Sequence, residues 1–422
     1  MKYFFWFCLA LIIPGLLIRI PFGGAGILLT DIFLPLFAVI WIGKKLIFQE
    51  KFPQNKFILP GFIFLGVAIF SWMMGAWELD LKAKILSFSY IIRFFSVLIF
   101  AWSAAEQINI ATSDKRQAIN SFLKSLYFIL GIILFFGFLQ FYLFPDIGSL
   151  STEGGWDPHT GRFLGTWMDP NYLGGFLSFM IPFLIAWIYR EKKWENRIFI
   201  GIFTFLTLWA LFLTFSRSAY LATAVGLFLF FLFKDRKMIL IGIIVIAVGI
   251  FSSERATKRV GELVGTIKSV VLLDTDEVDA TASLRIENWK KSFELFQKYP
   301  VLGIGYNTYR FRAAEEGVVD ESFFSAGGAD STLLTILVTS GIFGFLSFSY
   351  FCTKILFINL RRYFVLSSFD GDIKRGIGNN KIYYLAFFSG FSAIIVHSLF
   401  VNSLLFPLIF LPVMAVAGAL EE

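Results

Sequence analysis

Residues 213–221, LTFSRSAYL, set one arginine, Arg217, between two serines in a stretch that is otherwise apolar on both sides. A guanidinium within hydrocarbon costs roughly 2.5–3.5 kcal/mol on insertion scales, so Arg217 must lie at a boundary or be compensated. A planar, permanently charged fork is suited to gripping a phosphate or carboxylate, and several around one cavity would neutralise a pyrophosphate. Two more arginines suit such a cluster: Arg162 in PDIGSLSTEGGWDPHTGRFLGTWMDP (145–170), and Arg285 at the start of SLRIENWKKSFELFQKY (283–299). Each also has a plainer reading: Arg217 as a snorkelling or turn-capping residue, Arg162 as a solvated loop charge, Arg285 as part of a polar helix face. Asp330, just before STLLTILV, is a general base if burial raises its pKa, and it is equally a favoured helix N-cap. In MDPNYLGG (168–175), Asp169 or Asn171 reads as a cap, and Asn171 also as a sugar contact. Arg93 falls mid-segment, where an ionisable group is functional by default. Asp31 reads as a cap with Arg19 as its partner, His159 as a loop residue, and His397 as a helix–helix hydrogen-bonding group beside Asn402.

The elements that must position these residues are membrane helices. The chain has 422 residues, of which 57% are hydrophobic and only 16% charged, with 55 phenylalanines and a mean hydropathy of +0.74; that composition excludes an ordinary soluble domain. Apolar segments fall near 3–20, 27–43, 57–77, 85–104, 122–144, 171–189, 198–215, 218–233, 238–252, 331–358, 382–400 and 403–420, about twelve spans at roughly 20 residues each. The first is read as a span and not a cleaved signal, because no small-residue cleavage site follows it. The net charge of +7 is a topology signal, with no call for nucleic acid: lysines and arginines gather after every even-numbered segment, which puts both termini in the cytoplasm. Only Cys8 and Cys352 are present, each in an apolar run, which leaves no disulfide framework and no thiolate metal cluster.

The odd-numbered exits then face outward, and two are long. Residues 145–170 are acidic and aromatic, with Arg162 as their basic residue, and 253–330 are the largest soluble portion. Inside the latter, Leu284, Trp289, Phe293 and Phe296 share one helical face, predicting an amphipathic helix on the outer membrane boundary. Pro300 ends it and GIGYNTY (303–309) supplies a turn; no strand precedes those glycines, so they are no nucleotide fingerprint.

Four stretches in order, GRFLGTWMDPNYLGGFL (161–177), LTFSRSAYLATAVG (213–226), ASLRIENWKKSFELFQKYPVLGIGYNTY (282–309) and ADSTLLTILVTSGIFGFL (329–346), resemble the O-antigen ligase and polymerase superfamily. The resemblance covers roughly 160–350 and is specific for the family, not for a substrate. It implies a glycosyltransferase of the bacterial inner membrane whose active site faces the periplasm. The implied partners are a glycan donor on undecaprenyl pyrophosphate, a glycolipid or glycan acceptor, and the lipid bilayer, with neither metal nor nucleotide cofactor. Arg217 and Arg285 match family arginines that bind the donor pyrophosphate, and Arg162 matches another. Ligases of the family commonly carry His-Asn where this chain has Asp330-Ser331, which turns the expectation away from a strict ligase.

The fold class expected is therefore an all-α integral membrane protein of about twelve transmembrane helices with a large extracytoplasmic loop holding an amphipathic helix. Residues 1–252 form the first nine spans, 253–330 the outer loop, and 331–422 the last three, in one membrane domain. Asp330, Arg217 and Arg285 are the expected catalytic residues; Arg162, Asn171 and Arg93 complete the expected binding set. A secondary transporter shares the many spans and the polar residues near helix breaks, and a flippase or scaffold for lipid-linked glycans would bind the same lipid without forming a product.

Overall fold

Long apolar runs with few breakers become helices because hydrocarbon offers backbone groups no other partner. In the computed structural model, described for residues 1–422 except 23–24, 110–114, 148–158, 252–253, 255–256, 259–260, 262–279, 320–326, 369–379 and 422, the chain is almost wholly helical. The helices are α1 (Lys2–Ala10), α2 (Leu29–Ile47), α3 (Ile58–Gly75), α4 (Leu81–Asn109), α5 (Lys115–Leu143), α6 (Pro170–Arg190), α7 (Trp194–Leu213), α8 (Arg217–Lys234) and α9 (Lys237–Phe251). There follow α10 (Ala280–Lys298), the short α11 (Tyr309–Glu315), α12 (Thr332–Ser368), α13 (Lys381–His397) and α14 (Pro407–Leu420). Among the described residues seven helices, α3 to α8 and α12, are long and apolar enough to cross a membrane, and α13 and α14 are shorter apolar helices.

The first apolar segment departs from expectation. Its helix stops at Ala10, and β1 (Arg19–Phe22) pairs antiparallel with β2 (Ala25–Leu28) before α2. Pro14 cannot donate into a helix, and Gly15 adopts φ +58° where an added Cβ would lie 2.5 Å from the Thr166 carbonyl oxygen. The freed groups find partners in the GTWMDP stretch. Leu16 N–H donates to Thr166 O at 3.0 Å, Thr166 Oγ1 donates to Ile13 O at 2.5 Å, and the Trp167 indole donates to Ile12 O at 2.9 Å. The start of the chain thus buttresses the loop that carries Arg162.

The amphipathic helix forms as α10, but its buried stripe is rotated from the expected one. Ser292 and Leu295 are buried and Phe293 is 47% exposed. The Ser292 hydroxyl lies 2.6 Å from the Tyr309 hydroxyl, so a polar residue is satisfied inside and the helix docks on α12 through Leu295, Ile304, Tyr309, Ala313, Ala329 and Val338. The turn after Pro300 explains the long α12. Gly341 breaks that helix at φ 62°, ψ −165°, and Ile342 N–H donates to Pro300 O while Ile304 and Gly305 donate to Val338 and Thr339 O. Ser71 of α3 donates to Leu302 O and to Thr339 O, both at 2.8 Å. The GIGYNTY turn is a plug in a broken helix.

In the main core α13 packs between α6 and α8, α14 lies on α4, and α12 lies on α3. At one end α6 and α8 begin and α13 finishes, and the residues singled out in the sequence gather there.

Candidate functional site

The α6 and α8 N-termini are tied by one side chain. Asp169 caps α6, accepting from the Asn171 and Tyr172 N–H groups at 2.7 and 3.2 Å, with Pro170 in the first turn, the favoured arrangement for a helix start. Asn171 is therefore free of capping. Its Oδ1 accepts from Arg162 Nη2 at 3.3 Å and from the Ser216 hydroxyl at 2.9 Å. Arg162, buried at 8% exposure, also donates through Nε to Thr214 O at 2.7 Å and meets His159 Nδ1 at 3.3 Å. His159 Nε2 in turn lies 4.0 Å from Asp169 Oδ2. Arg162 is not a solvated loop charge.

The turn LTFSRS places Arg217 as the first residue of α8. Thr214 ends α7 by returning its hydroxyl to Leu211 O at 2.6 Å, Phe215 takes φ 48°, and the Ser216 side chain goes to Asn171 and Ser218 rather than back to the helix. Arg217 is partly exposed at an end where the helix dipole adds positive potential.

Asp330 stands across from this pair of helix starts, on the segment entering α12. It is not the cap. Ser331 Oγ accepts the Leu334 N–H at 3.4 Å, and Asp330 itself adopts φ 52°, a left-handed conformation that aspartate tolerates better than most residues. The segment is held firmly: Thr332 N–H donates to Ser398 O at 2.8 Å, Ala329 N–H to Thr335 Oγ1 at 2.9 Å, and Thr335 Oγ1 to Asn402 Oδ1 at 3.0 Å. The carboxylate turns to α10, where Asn288 Nδ2 donates to Oδ2 at 3.4 Å. Burial pushes the Asp330 carboxyl above its ordinary range, while the Arg285 charge and the Asn288 bond pull it back. Tyr309 donates to Asn288 Oδ1 at 3.1 Å, which aims the amide at Asp330. Burial pushes the Tyr309 phenol up to about 12, the Ser292 bond opposing and Asp330 adding, so it remains a donor at neutral pH.

The two halves meet at His397, the last residue of α13. It is fully buried, bonded through Nδ1 to Ser403 Oγ at 2.9 Å, pressed on Gly175 one turn from Asn171, and within electrostatic reach of Arg285. Arg285, Asp330, His397, Asn171, Arg162 and the Arg217 turn thus form one connected region. Arg93 belongs to another arm: its partner is Asp31, at 2.6 and 2.7 Å, and the side chain of Arg19, the expected partner, lies over Gly26. Sequence reading passed over Asn288, Tyr309 and Tyr172. Asn288 had a signal, since it follows Arg285 by three residues on one helix face; the tyrosines had none.

A family model described as O-antigen ligase matches residues 202–349. Over that span the chain is similar to the O-antigen ligase family, which supports the resemblance to the O-antigen ligase and polymerase superfamily. The matched span contains Arg217, Arg285, Asn288, Asp330 and the broken helix α12, whereas Arg162, Asn171 and Arg93 lie before it. No curated protein matches the chain. The seven helices long enough to cross a membrane agree with that similarity, and the family it points to is one of glycosyltransferase-like membrane enzymes.

Proposed function

We propose that the chain transfers a glycan from undecaprenyl pyrophosphate to the hydroxyl of an acceptor sugar at the outer face of the inner membrane. Arg217, Arg285 and Arg162 hold the pyrophosphate, assisted by the positive ends of α6 and α8, and Asn171 sets the spacing between Arg162 and the Arg217 turn. Asp330, positioned by Asn288, takes the acceptor proton. The acceptor oxygen bonds to the anomeric carbon as the bond from that carbon to the pyrophosphate oxygen breaks, and the arginines stabilise the charge that collects on the leaving group. A single displacement inverts the anomeric configuration. Arg93 lies on the acceptor side. Both termini are cytoplasmic, with 253–330 outside, 1–252 and 331–422 forming the membrane domain.

The observation that carries this reading is the single Asn171 amide joining Arg162 to the α8 start, in a region that also holds Arg285 and the partly buried Asp330 carboxylate. Beside it runs an apolar groove of about 530 Å³ between α5 and α7, lined by Gly131, Leu134, Phe138, Tyr142, Phe203 and Leu206 among others. Phe138 meets Phe163, the neighbour of Arg162, at 5.0 Å between rings. A polyprenyl tail would lie there with its head at the arginines. The test is Arg217→Ala: transfer should fall by roughly 10²–10³-fold, the effect of removing one contact to transition-state charge, with the protein still monodisperse. Activity within tenfold of the parent would remove Arg217 from the mechanism.

A further inference from the structure

The Asp31–Arg93 pair is built differently from the three outer arginines. Asp31 stands in the first turn of α2, accepts the Leu28 N–H at 3.0 Å, and engages Arg93 Nε and Nη2, leaving Nη1 outside the fork. The guanidinium lies 4.3 Å from the centre of the Tyr90 ring. Asp31, Tyr90, Arg93, Tyr172 and Asp330 are each only partly buried, so the pair is not sealed inside the core.

Tyr172 connects this pair to the carboxylate. Its ring is stacked on Phe406 at 3.9 Å and 11°, and it stands within electrostatic reach of both Tyr90 and Asp330. Aromatic faces beside a planar acid–guanidinium pair offer what a pyranose needs: an apolar surface for its C–H face and forked donors and acceptors for its hydroxyls. The charge also differs. Arg93 is neutralised by Asp31, whereas the α6 and α8 side gathers arginines.

We propose that Asp31, Arg93, Tyr90 and Tyr172 form the acceptor subsite, and that it selects a neutral, hydroxyl-rich sugar over an anionic one. The proposal rests on the transferase reading above. It is tested with undecaprenyl-pyrophosphate oligosaccharide and envelope glycolipid from the host, with phenyl β-glucoside and phenyl β-glucuronide as competitors of transfer. The parent enzyme should be inhibited at least tenfold more strongly by the glucoside. Asp31→Asn leaves Arg93 uncompensated and should shift that ratio at least tenfold toward the glucuronide. Tyr90→Ala, which leaves the ion pair intact, should raise acceptor KM at least tenfold while donor KM stays within twofold. An unchanged ratio together with an unchanged acceptor KM would make the pair a structural clamp, and a rise in donor KM alone would assign it to the donor; either overturns the proposal. Absence of any transfer by the parent enzyme, with lipid binding retained, would instead overturn the transferase reading itself.

Discussion

Asp330 occupies a position where chemistry and scaffold are separable, because Ser331 performs the capping. A carboxyl whose pKa is raised by burial is protonated at acid pH and gains its base form as pH rises through that raised value. The rate should therefore climb with pH along a limb lying above the ordinary 3.8, and Asp330→Asn should abolish the limb along with most of the activity. A limb unchanged in the variant would move the base elsewhere. Asn288→Ala should lower kcat and shift the same limb upward, since it removes one bond that favours the charged form; a pH–rate profile measures both. The arginines and Asp330 stand out in the sequence by residue type and setting, and the family pattern adds their order. Asn171 as a bridge was not, because one amide joining two loops 45 residues apart in sequence leaves no local pattern.

Among the elements, the broken α12 governs the geometry of the site. Its gap at Gly341 receives the turn from Pro300, and the same turn anchors the end of α10, which carries Arg285 and Asn288. A Cβ at position 341 would stand 2.2 Å from Val301 O at a φ that side chains rarely adopt. Gly341→Val should cost at least about 1–3 kcal/mol in backbone strain, lower the melting temperature in detergent, and depress activity although it touches no site residue; a melting curve matching the parent's would refute the plug. The 3.6-residue pattern of α10 announced a helix but not its buried face, because Ser292 and Asn288 enter the protein with hydrogen bonds to Tyr309 that hydrophobicity does not register. The start of the chain misled for a related reason. Its apolar run was long enough to span, but Pro14 and Gly15 end the helix and Thr166 and Trp167 collect the freed carbonyls.

For the whole molecule, hydropathy located the helices well and their lengths less well. α2 carries Asp31, Lys44 and Lys45 within its 19 residues and α13 and α14 are shorter, so none of the three reads as a simple span; α2 and α14 pack on α4, and α13 on α8. The basic end is fastened by contacts that agree with the loop charges: Lys45 pairs with Glu50 and Glu106 at 3.1 and 2.8 Å, and Arg362 binds the carbonyls of Leu420 and Glu421. A fluorescent protein fused after the last residue should therefore fold and fluoresce, while alkaline phosphatase inserted at Gly317 should be active outside; the reverse pattern would invert the membrane orientation. The most direct measurement is a transfer reaction with purified protein, chelator and no nucleotide, supplied with host undecaprenyl-pyrophosphate oligosaccharide and envelope glycolipid, with products resolved by mass and anomeric configuration. The account predicts a new glycan linkage of inverted configuration, formed by the parent and lost in Arg217→Ala. Retained configuration, or no product from protein that still binds the lipid, would contradict it.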